Sequence, residues 1–297
     1  MIKMNGAYIN GIDDKKTKDK TAENADGAST TDYILFSLTV PDASTGDIHY
    51  GLGKTVIASG GTANFNVNGL FFNIIDHGMK HGSCKRVWLS LGGAGTNTFT
   101  NIQKIFEKND NTRNFLLGNL AAIAGIIEVV FSDLEFVGFD MDLEDGSLKD
   151  GMVPLIIELS KLKDYQFTFC PYSNESGWVD SLRGVYSGLN RQPVVGMNLQ
   201  VYSGGAGNNP NTWTSYLKKN LSGTGLTESQ AESFIWPIQS FDSEAQPVST
   251  PDQMKHNLKN KWKSKGGSFW ATQNLSQPGK TIYTWADYAG AITEGID

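Results

Sequence analysis

Three acidic side chains recur at every second position in one short segment. The segment 134–146 reads LEFVGFDMDLEDG and contains Asp140, Asp142 and Glu144. The residues between and before these acids are apolar: Val137, Phe139, Met141 and Leu143. Strict alternation predicts a strand with one apolar and one acidic face, on which neighbouring carboxylates lie about 7 Å apart. Such a row shifts the protonation of its members, and this makes Glu144, the last of the three, a candidate proton donor.

Two other interpretations of the acidic row remain open. It could be the solvated face of an edge strand, or it could bind a divalent cation, since oxygen ligands suit calcium and magnesium. Metal sites usually collect their ligands from loops, whereas these acids lie along a strand that ends at once in Asp145-Gly146. The four histidines and two cysteines show no metal-ligand spacing. The pattern therefore favours catalysis, and we predict neither a metal nor a cofactor.

The row resembles the motif of a known family. Residues 138–144, GFDMDLE, are similar to the Asp-Gly-x-Asp-x-Asp-x-Glu signature of family 18 glycoside hydrolases, the chitinases and endo-β-N-acetylglucosaminidases. One position departs from the signature, because Val137 replaces its first Asp. Strand parity places Val137 on the face opposite the three acids, so the row itself keeps all its members.

Other segments extend the resemblance along nearly the whole chain, in the order that the family has. The segment 85–93, KRVWLSLGG, resembles the end of the family's third barrel strand, and 33–38, YILFSL, its second. The segment 195–202, VGMNLQVY, resembles the sixth strand of plant-type members, and 266–270, GGSFW, the eighth. The pattern is closest to that of plant-type class III chitinases.

The resemblance implies retaining, substrate-assisted catalysis. Glu144 would protonate the glycosidic oxygen while the sugar's own acetamide oxygen attacks the anomeric carbon and forms an oxazolinium ion. Asp142 would orient the acetamide and share a proton with Asp140, Tyr202 would donate to the acetamide oxygen, and Trp270 would stack under the sugar ring. Further residues are expected to bind substrate or line the site: Gln200, Tyr8, Phe36, Ser90, Gly92, Gly93 and Tyr172. Three other indoles are expected to pack in the core rather than extend a groove: Trp178, Trp213 and Trp236.

Three functions remain to be distinguished. The first is a chitinase that cleaves β-1,4-linked N-acetylglucosamine, and the second is an endo-β-N-acetylglucosaminidase that cuts the chitobiose core of N-glycans. The loop 203–211 resembles that of plant-type chitinases and favours chitin. The interval 240–267 is too short for an extra domain, which favours an open, endo-acting groove. The third is a non-catalytic binder, against which the presence of Glu144 argues.

The elements that must position these residues alternate along the chain. Eight strands are predicted: 7–9, 33–40, 86–91, 136–143, 166–170, 194–202, 234–239 and 268–272. Helical patterns lie between them: 70–80, the long interval 99–130, 154–162, 212–220, 228–233 and 251–263. Alternating strands and helices imply a parallel sheet, and eight repeats in 297 residues imply a single-domain (β/α)₈ TIM barrel over residues 1–297, for which about 250 residues is typical. An open doubly wound sheet is the alternative, but the segment 10–14 lacks the glycine-rich phosphate turn it needs.

Composition limits the partners. A net charge of −6 and a pI of about 5.3 argue against nucleic acid and anionic membranes. The longest apolar run, 120–127, is far below the roughly 20 residues of a membrane span. Met1–Gly6 has no apolar segment of a signal peptide, so the place of action stays open, although an N-acetylglucosamine-containing polysaccharide or glycan as partner suggests an extracellular one. Cys84 and Cys170 are expected to be buried and unpaired, and the protein is expected to be a monomer.

Overall fold

The computed structural model describes residues 2–10, 21–51, 55–108, 111–243, 245–272, 275 and 282–296. Eight strands of these residues form the barrel: β1 (Asn5–Ile9), β2 (Asp32–Thr39), β6 (Arg86–Gly92), β7 (Phe136–Asp142), β8 (Phe167–Phe169), β9 (Val194–Gln200), β10 (Ile235–Ser240) and β11 (Gly267–Trp270). They are parallel and lie in the order β1-β11-β10-β9-β8-β7-β6-β2, and the β1–β2 pairing closes the barrel. The TIM-barrel prediction is confirmed, and the open doubly wound alternative is wrong because β1 pairs with β2 as well as with β11.

Helices lie outside the barrel, and most of them connect one barrel strand to the next. Those of the described residues include Phe65–His81, Thr98–Glu107, Thr112–Val130, Val153–Leu162, Glu175–Leu189, Pro210–Lys219, Glu228–Glu232, Pro251–His256 and, after the last strand, Trp285–Ile296. A π-helical turn, Leu148–Met152, leads into Val153–Leu162, and another, Asn257–Trp262, extends Pro251–His256. Thr250 and Thr227 cap their helices in capping boxes with Gln253 and Gln230, which satisfy backbone N–H groups at the helix starts.

Three short strands were not predicted. The strands β3 (Ile48–Tyr50), β4 (Thr55–Ser59) and β5 (Thr62–Ala63) form an antiparallel meander on β2. They are too short to show a periodic pattern. Several predicted barrel strands were also too long at their carboxyl ends, since β7 ends at Asp142, β8 at Phe169, β9 at Gln200 and β11 at Trp270. Cys170 and Tyr202 therefore lie just beyond the strands.

Two helices were not predicted, Glu175–Leu189 and Trp285–Ile296. The long interval 99–130 is helical as predicted, and it contains two helices, Thr98–Glu107 and Thr112–Val130. Glycines lower the helix propensity of Glu175–Leu189 but allow close packing on its neighbour. A Cβ on Gly188 would lie 2.4 Å from Cδ1 of Ile157, and one on Gly184 would lie 3.2 Å from Cγ1 of Val153. Tertiary packing therefore outweighs local propensity in this helix.

The helix Thr112–Val130 is an apolar segment longer than the run 120–127 that the sequence indicated. By length and composition alone it could cross a membrane, and 39% of its apolar window is buried. It lies between β6 and β7 in the chain, and it packs on β7 and on the helix Val153–Leu162. Its buried side chains include Leu116, Leu120 and Ile127. This position is that of a barrel helix with its apolar face on the sheet.

The hydrophobic residues form two separate clusters. The larger one fills the space between the sheet and the helices and includes Val137, which therefore points away from the barrel interior as strand parity predicted. The smaller one lies inside the barrel and includes Trp88 and Trp236. Glycines make room for these indoles, because a Cβ on Gly138 would lie 2.8 Å from Cε3 of Trp88 and one on Gly196 would lie 2.2 Å from Cη2 of Trp236.

A buried ion pair lies at the amino-terminal end of the barrel. Arg86 donates from Nε to Oδ1 and from Nη2 to Oδ2 of Asp32, both at 2.7 Å. Trp88 Nε1 donates to the same Oδ1 at 2.9 Å, and Arg86 also reaches the exposed Glu135 at 3.0 Å. The bidentate geometry fixes the arginine side chain and satisfies the buried carboxylate.

Candidate active site

The three acids lie on the inner face of β7 and just beyond it, at the carboxyl end of the barrel. Parallel pairing places Ser90 opposite Asp140 and Gly92 opposite Asp142 on β6, and Thr168 opposite Asp140 on β8. The carboxyl ends of barrel strands carry the active sites of TIM-barrel enzymes. Strand register thus surrounds the acidic row with polar side chains from the neighbouring strands.

Asp140 is fully buried and accepts four hydrogen bonds. Its Oδ1 accepts from Thr168 at 2.6 Å and Asn198 at 3.0 Å, and its Oδ2 accepts from Ser90 at 2.8 Å and Tyr8 at 3.2 Å. Burial raises the pKa of Asp140, while these four donors act in the opposite direction. A saturated carboxylate of this kind is held in one orientation and forms the rigid base of the acidic row.

Asp142 and Glu144 share one donor. The amide Nε2 of Gln200 lies 3.3 Å from Oδ1 of Asp142 and 3.3 Å from Oε1 of Glu144. Burial raises the pKa of Asp142 well above its ordinary value, and the charges of Glu144 and Asp140 add to this effect. Burial also raises the pKa of Glu144, the Gln200 hydrogen bond lowers it, and the charge of Asp145 raises it. The two carboxyls titrate together, which favours retention of a proton between them.

Aromatic rings form the wall beside the acids. Trp270, half-buried at the end of β11, packs edge-to-face on Phe36 with centroids 4.6 Å apart and stacks on Tyr202 at 6.0 Å. Tyr8 lies between these rings and the acids, because its ring is 5.7 Å from that of Trp270 and its hydroxyl reaches Asp140. Tyr8 was expected only as a wall, but its hydroxyl also donates to Asp140. An apolar ring face beside carboxylates is the surface that a sugar's C–H face can contact.

Two glycines bring the β6 loop close to the acids. Gly93 donates its backbone N–H to the backbone oxygen of Asp142 at 2.9 Å. Both Gly92 and Gly93 have positive φ, +111° and +98°. A Cβ on Gly92 would lie 2.2 Å from the Asp142 oxygen, and one on Gly93 would lie 2.7 Å from Cζ of Phe36. Only glycine fits these two positions without strain.

Tyr172 lies in the loop after β8. It is half-buried after Pro171, and its ring lies beside Gly204, where a Cβ would be 3.4 Å from its Cδ2. Its backbone oxygen accepts from Asn208 Nδ2 at 2.8 Å, and the same amide reaches the backbone oxygen of Gln200 at 2.8 Å. Asn208 thereby ties the loop after β9 to the loop after β8.

Several residues at the site were missed or underused in the sequence analysis. Thr168 and Asn198 complete the Asp140 shell, Cys170 lies between Tyr8 and Gln200, and Asp145 and Asn208 fix the adjoining loops. Strand parity could have indicated Thr168, Asn198 and Cys170. Thr168 and Cys170 are two positions apart, as Asn198 and Gln200 are on the next strand, so each pair shares one face. Both cysteines are buried and free, as predicted, and Trp178, Trp213 and Trp236 are buried in packing positions.

Two cavities lie at opposite ends of the barrel in the part of the chain that the structure describes. One of about 400 Å³ lies at the same end of the barrel as the acidic row and is lined by polar residues such as Thr96, Asn97 and Lys104. A larger one of about 610 Å³ lies at the opposite end, around Arg86 and Gln166. Arg86 at that end is held by Asp32 and Glu135 through the ion pairs described above. In the described part of the chain, no three or more His, Cys, Asp or Glu side chains are placed so that they could hold a metal ion together.

The fold is similar to solved structures. A fungal endo-β-N-acetylglucosaminidase of glycosyl hydrolase family 18 aligns with a TM-score of 0.60 at 17% identity, over 97% of this chain and 96% of that one. A Streptomyces coelicolor protein assigned as chitinase A aligns with a TM-score of 0.55 at 16% identity, over 99% and 98%. A Bacteroides thetaiotaomicron protein assigned as an α-L-fucosidase gives 0.54 at 9%, over 97% and 93%. No protein-family model and no curated protein matches the sequence. These similarities establish the TIM-barrel fold along nearly the whole chain.

Proposed function

We propose that this protein is a retaining glycoside hydrolase that cleaves β-1,4-linked N-acetylglucosamine in chitin or chito-oligosaccharides. The observation that carries the proposal is the joint contact of Gln200 with Asp142 and Glu144, 3.3 Å to each, above an Asp140 that accepts four hydrogen bonds. The motif resemblance and the fold shared with a family 18 endo-β-N-acetylglucosaminidase and a chitinase A support it.

The environments of the acids match the roles proposed for them. Glu144 is half-buried and burial raises its pKa, which favours the protonated form that can transfer a proton to the leaving glycosidic oxygen. Asp142 then orients the N–H of the substrate's acetamide and balances the positive charge of the oxazolinium ion. Water opens that ion with Glu144 as base, which retains the anomeric configuration.

The surrounding side chains would hold the substrate. Trp270 presents its half-buried ring to the sugar, and Phe36 and Tyr202 hold that ring in place on two sides. Tyr202 would donate to the acetamide oxygen. Gln200 would keep Asp142 and Glu144 in register while protons move. This division assigns binding to the aromatic wall and chemistry to the row.

The test is hydrolysis of a chitin oligosaccharide and of a high-mannose N-glycoprotein by wild type and Glu144→Gln. We expect the oligosaccharide to be cleaved and the variant to lose a factor of about 10²–10⁴ in kcat, the usual contribution of a general acid–base group. The variant should still bind the sugar, as calorimetry would show. A variant that kept most of its rate would refute Glu144 as the acid.

The second candidate function is an endo-β-N-acetylglucosaminidase acting on N-glycan chitobiose cores. The solved structure with the TM-score of 0.60 favours it, because that protein carries this activity in its name. Cleavage of the glycoprotein alone would establish this alternative with the same acidic row. Binding of either glycan without cleavage would instead indicate a non-catalytic sugar-recognition module.

A further inference from the structure

Cys170 lies at the centre of the acidic site, although no role has been assigned to it. Its side chain is 1% exposed and its thiol is free. The sulfur lies 3.4 Å from the Tyr8 hydroxyl and 3.7 Å from Nε2 of Gln200, an amide that itself lies 3.3 Å from Oδ1 of Asp142. It therefore contacts two donors that also bind the carboxyls of the acidic row.

The two residues that donate hydrogen bonds to the sulfur, Tyr8 and Gln200, have fewer protons than there are acceptors around them. The single Tyr8 proton has two acceptors, Asp140 Oδ2 at 3.2 Å and Cys170 Sγ at 3.4 Å. The two Gln200 amide protons have three, namely Asp142, Glu144 and Cys170. A thiol is both a weak donor and a weak acceptor. It can donate to an ionised Asp142 and, once that carboxyl is protonated, accept from it or from Gln200 at little cost.

The environment excludes a nucleophilic role for this thiol. Burial raises the pKa of Cys170 well above its ordinary value, and the negative charges of Asp142 and Asp140 raise it further. A reactive cysteine needs an accessible, positively charged surrounding that favours the thiolate. Cys170 has neither, so it remains a neutral thiol that acts through its hydrogen bonds.

We propose that Cys170 is a positioning residue that holds the Asp142 carboxyl and rearranges its hydrogen bonds as protons move along the acidic row. This inference rests on the proposed glycosidase function. In this arrangement Tyr8 binds Asp140, and Gln200 binds both Asp142 and Glu144. The thiol contacts both of these donors and so links the two ends of the row. Other titratable groups that face Asp142 or the thiol act on the same equilibrium: Tyr8, Asp140, Glu144 and Tyr202.

The kinetic test compares Cys170→Ala and Cys170→Ser on a chito-oligosaccharide. The Cys170 hydrogen bond lowers the pKa of Asp142, so its loss in Cys170→Ala should move the acidic limb of kcat/KM upward by about half a pH unit. A serine hydroxyl is a stronger donor, so Cys170→Ser should leave that limb at or below the wild-type position. We expect kcat of Cys170→Ala to fall about fivefold with KM within about twofold, because only the orientation of Asp142 changes.

Cys84 supplies the matched control. It is the other buried free cysteine, and it lies at the opposite end of the barrel, where its thiol faces the Arg86 backbone oxygen. Cys84→Ala should lose a comparable amount of thermal stability but keep the wild-type pH profile. A merely structural role for Cys170 would make its alanine variant behave in the same way, and this result would overturn the proposal. The proposal would also be overturned if the acidic limbs of Cys170→Ala and Cys170→Ser moved together.

A spectroscopic test does not depend on catalysis or on the folding of the Cys170 variants. The infrared S–H stretch of Cys170, distinguished from that of Cys84 through Cys84→Ala, should move to lower frequency as the acidic row ionises. In Asp142→Asn this pH-dependent movement should be lost. An S–H band that is unchanged by pH and by Asp142→Asn would overturn the proposal. If wild type cleaved no substrate, the proposed function would fail, while this band would still decide whether the thiol holds Asp142.

Discussion

Asp145 joins the end of the acidic row to a helix that lies 45 residues earlier in the chain. Its Oδ2 accepts from the backbone N–H of Thr100 at 2.8 Å, and its Oδ1 accepts from that of Phe99 at 3.4 Å. Asp145 thus caps the helix Thr98–Glu107, whose own N-cap residue, Asn97, makes no side-chain cap bond. Gly146 follows in close contact, since a Cβ there would lie 2.5 Å from the Thr100 nitrogen. The position of Glu144 is therefore set by the helix as well as by the strand.

The charge of Asp145 should shift the pH dependence of catalysis. That charge raises the pKa of Glu144, so Asp145→Asn should lower it. Glu144 would then lose its proton at a lower pH, and the alkaline limb of kcat would move down by a few tenths of a unit to about one unit. Measured kcat–pH profiles would check this, with Asp150→Asn, which replaces an exposed carboxylate in the π-helical turn Leu148–Met152, as control. An unchanged alkaline limb in Asp145→Asn would contradict the assignment of Glu144 as the acid.

The buried acid should reduce stability at neutral pH. Folding raises the pKa of Asp142, so the folded state binds this proton more tightly than the unfolded chain does. The resulting stability is complete below the ordinary pKa of about 3.9 and is lost as pH rises through the raised folded value. Asparagine mimics the protonated form, so Asp142→Asn should raise Tm at about pH 8 by at least about 2 °C. The gain should shrink towards about pH 4.

Thermal melts of Asp142→Asn across this pH range would measure the effect, with Asp133→Asn, which replaces an exposed carboxylate, as control. A variant that is less stable than wild type at every pH would show that hydrogen bonds to Asp142 outweigh the cost of its burial. The proposed glycosidase activity should be lost in the same variant. Stability and function would then be opposed at this position.

The ion pair at the other end of the barrel should stabilise the fold without affecting catalysis. Asp32→Ala would leave Arg86 buried without its bidentate partner, at a cost of about 3–5 kcal/mol of unfolding free energy. Glu135→Ala removes an exposed partner of the same arginine and should cost only about 0–1 kcal/mol. Denaturant unfolding would compare the two. Equal losses would mean that the Asp32 pair contributes no more than a surface contact.

A side chain at Gly93 should clash with Phe36, whereas a side chain at the nearby Gly95 should not. Gly93→Ala adds a Cβ at 2.7 Å from Phe36 Cζ and holds alanine at φ +98°, whereas Gly95→Ala has a similar φ, +73°, with no atom within 4 Å. Backbone strain of about 1–3 kcal/mol applies to both. Only Gly93→Ala should also displace Phe36 and lower kcat/KM. Kinetics and unfolding of both variants would separate strain from the loss of the pocket wall.

The parts of the site that follow from strand parity could be predicted, and the parts that need register or long-range packing could not. Alternation places Asp140, Asp142 and Glu144 on one face and Val137 on the other, and the structure agrees. Nothing local indicates that Thr168 would pair opposite Asp140 or that Asp145 would cap a distant helix. The helix Glu175–Leu189 was hidden by glycines whose value is visible only once Ile157 and Val153 lie against them.

The indole of Trp88 lies inside the barrel on β6, between the residue that binds the Asp32 carboxylate and the residue that binds Asp140. Ser90, which binds Asp140, and Arg86, which binds Asp32, stand on the same strand four residues apart, or about 13 Å. Substitutions at the two ends should therefore be nearly additive in free energy. Side chains around the acidic row can therefore change without loss of the stability that the Asp32–Arg86 ion pair supplies at the opposite end of the barrel.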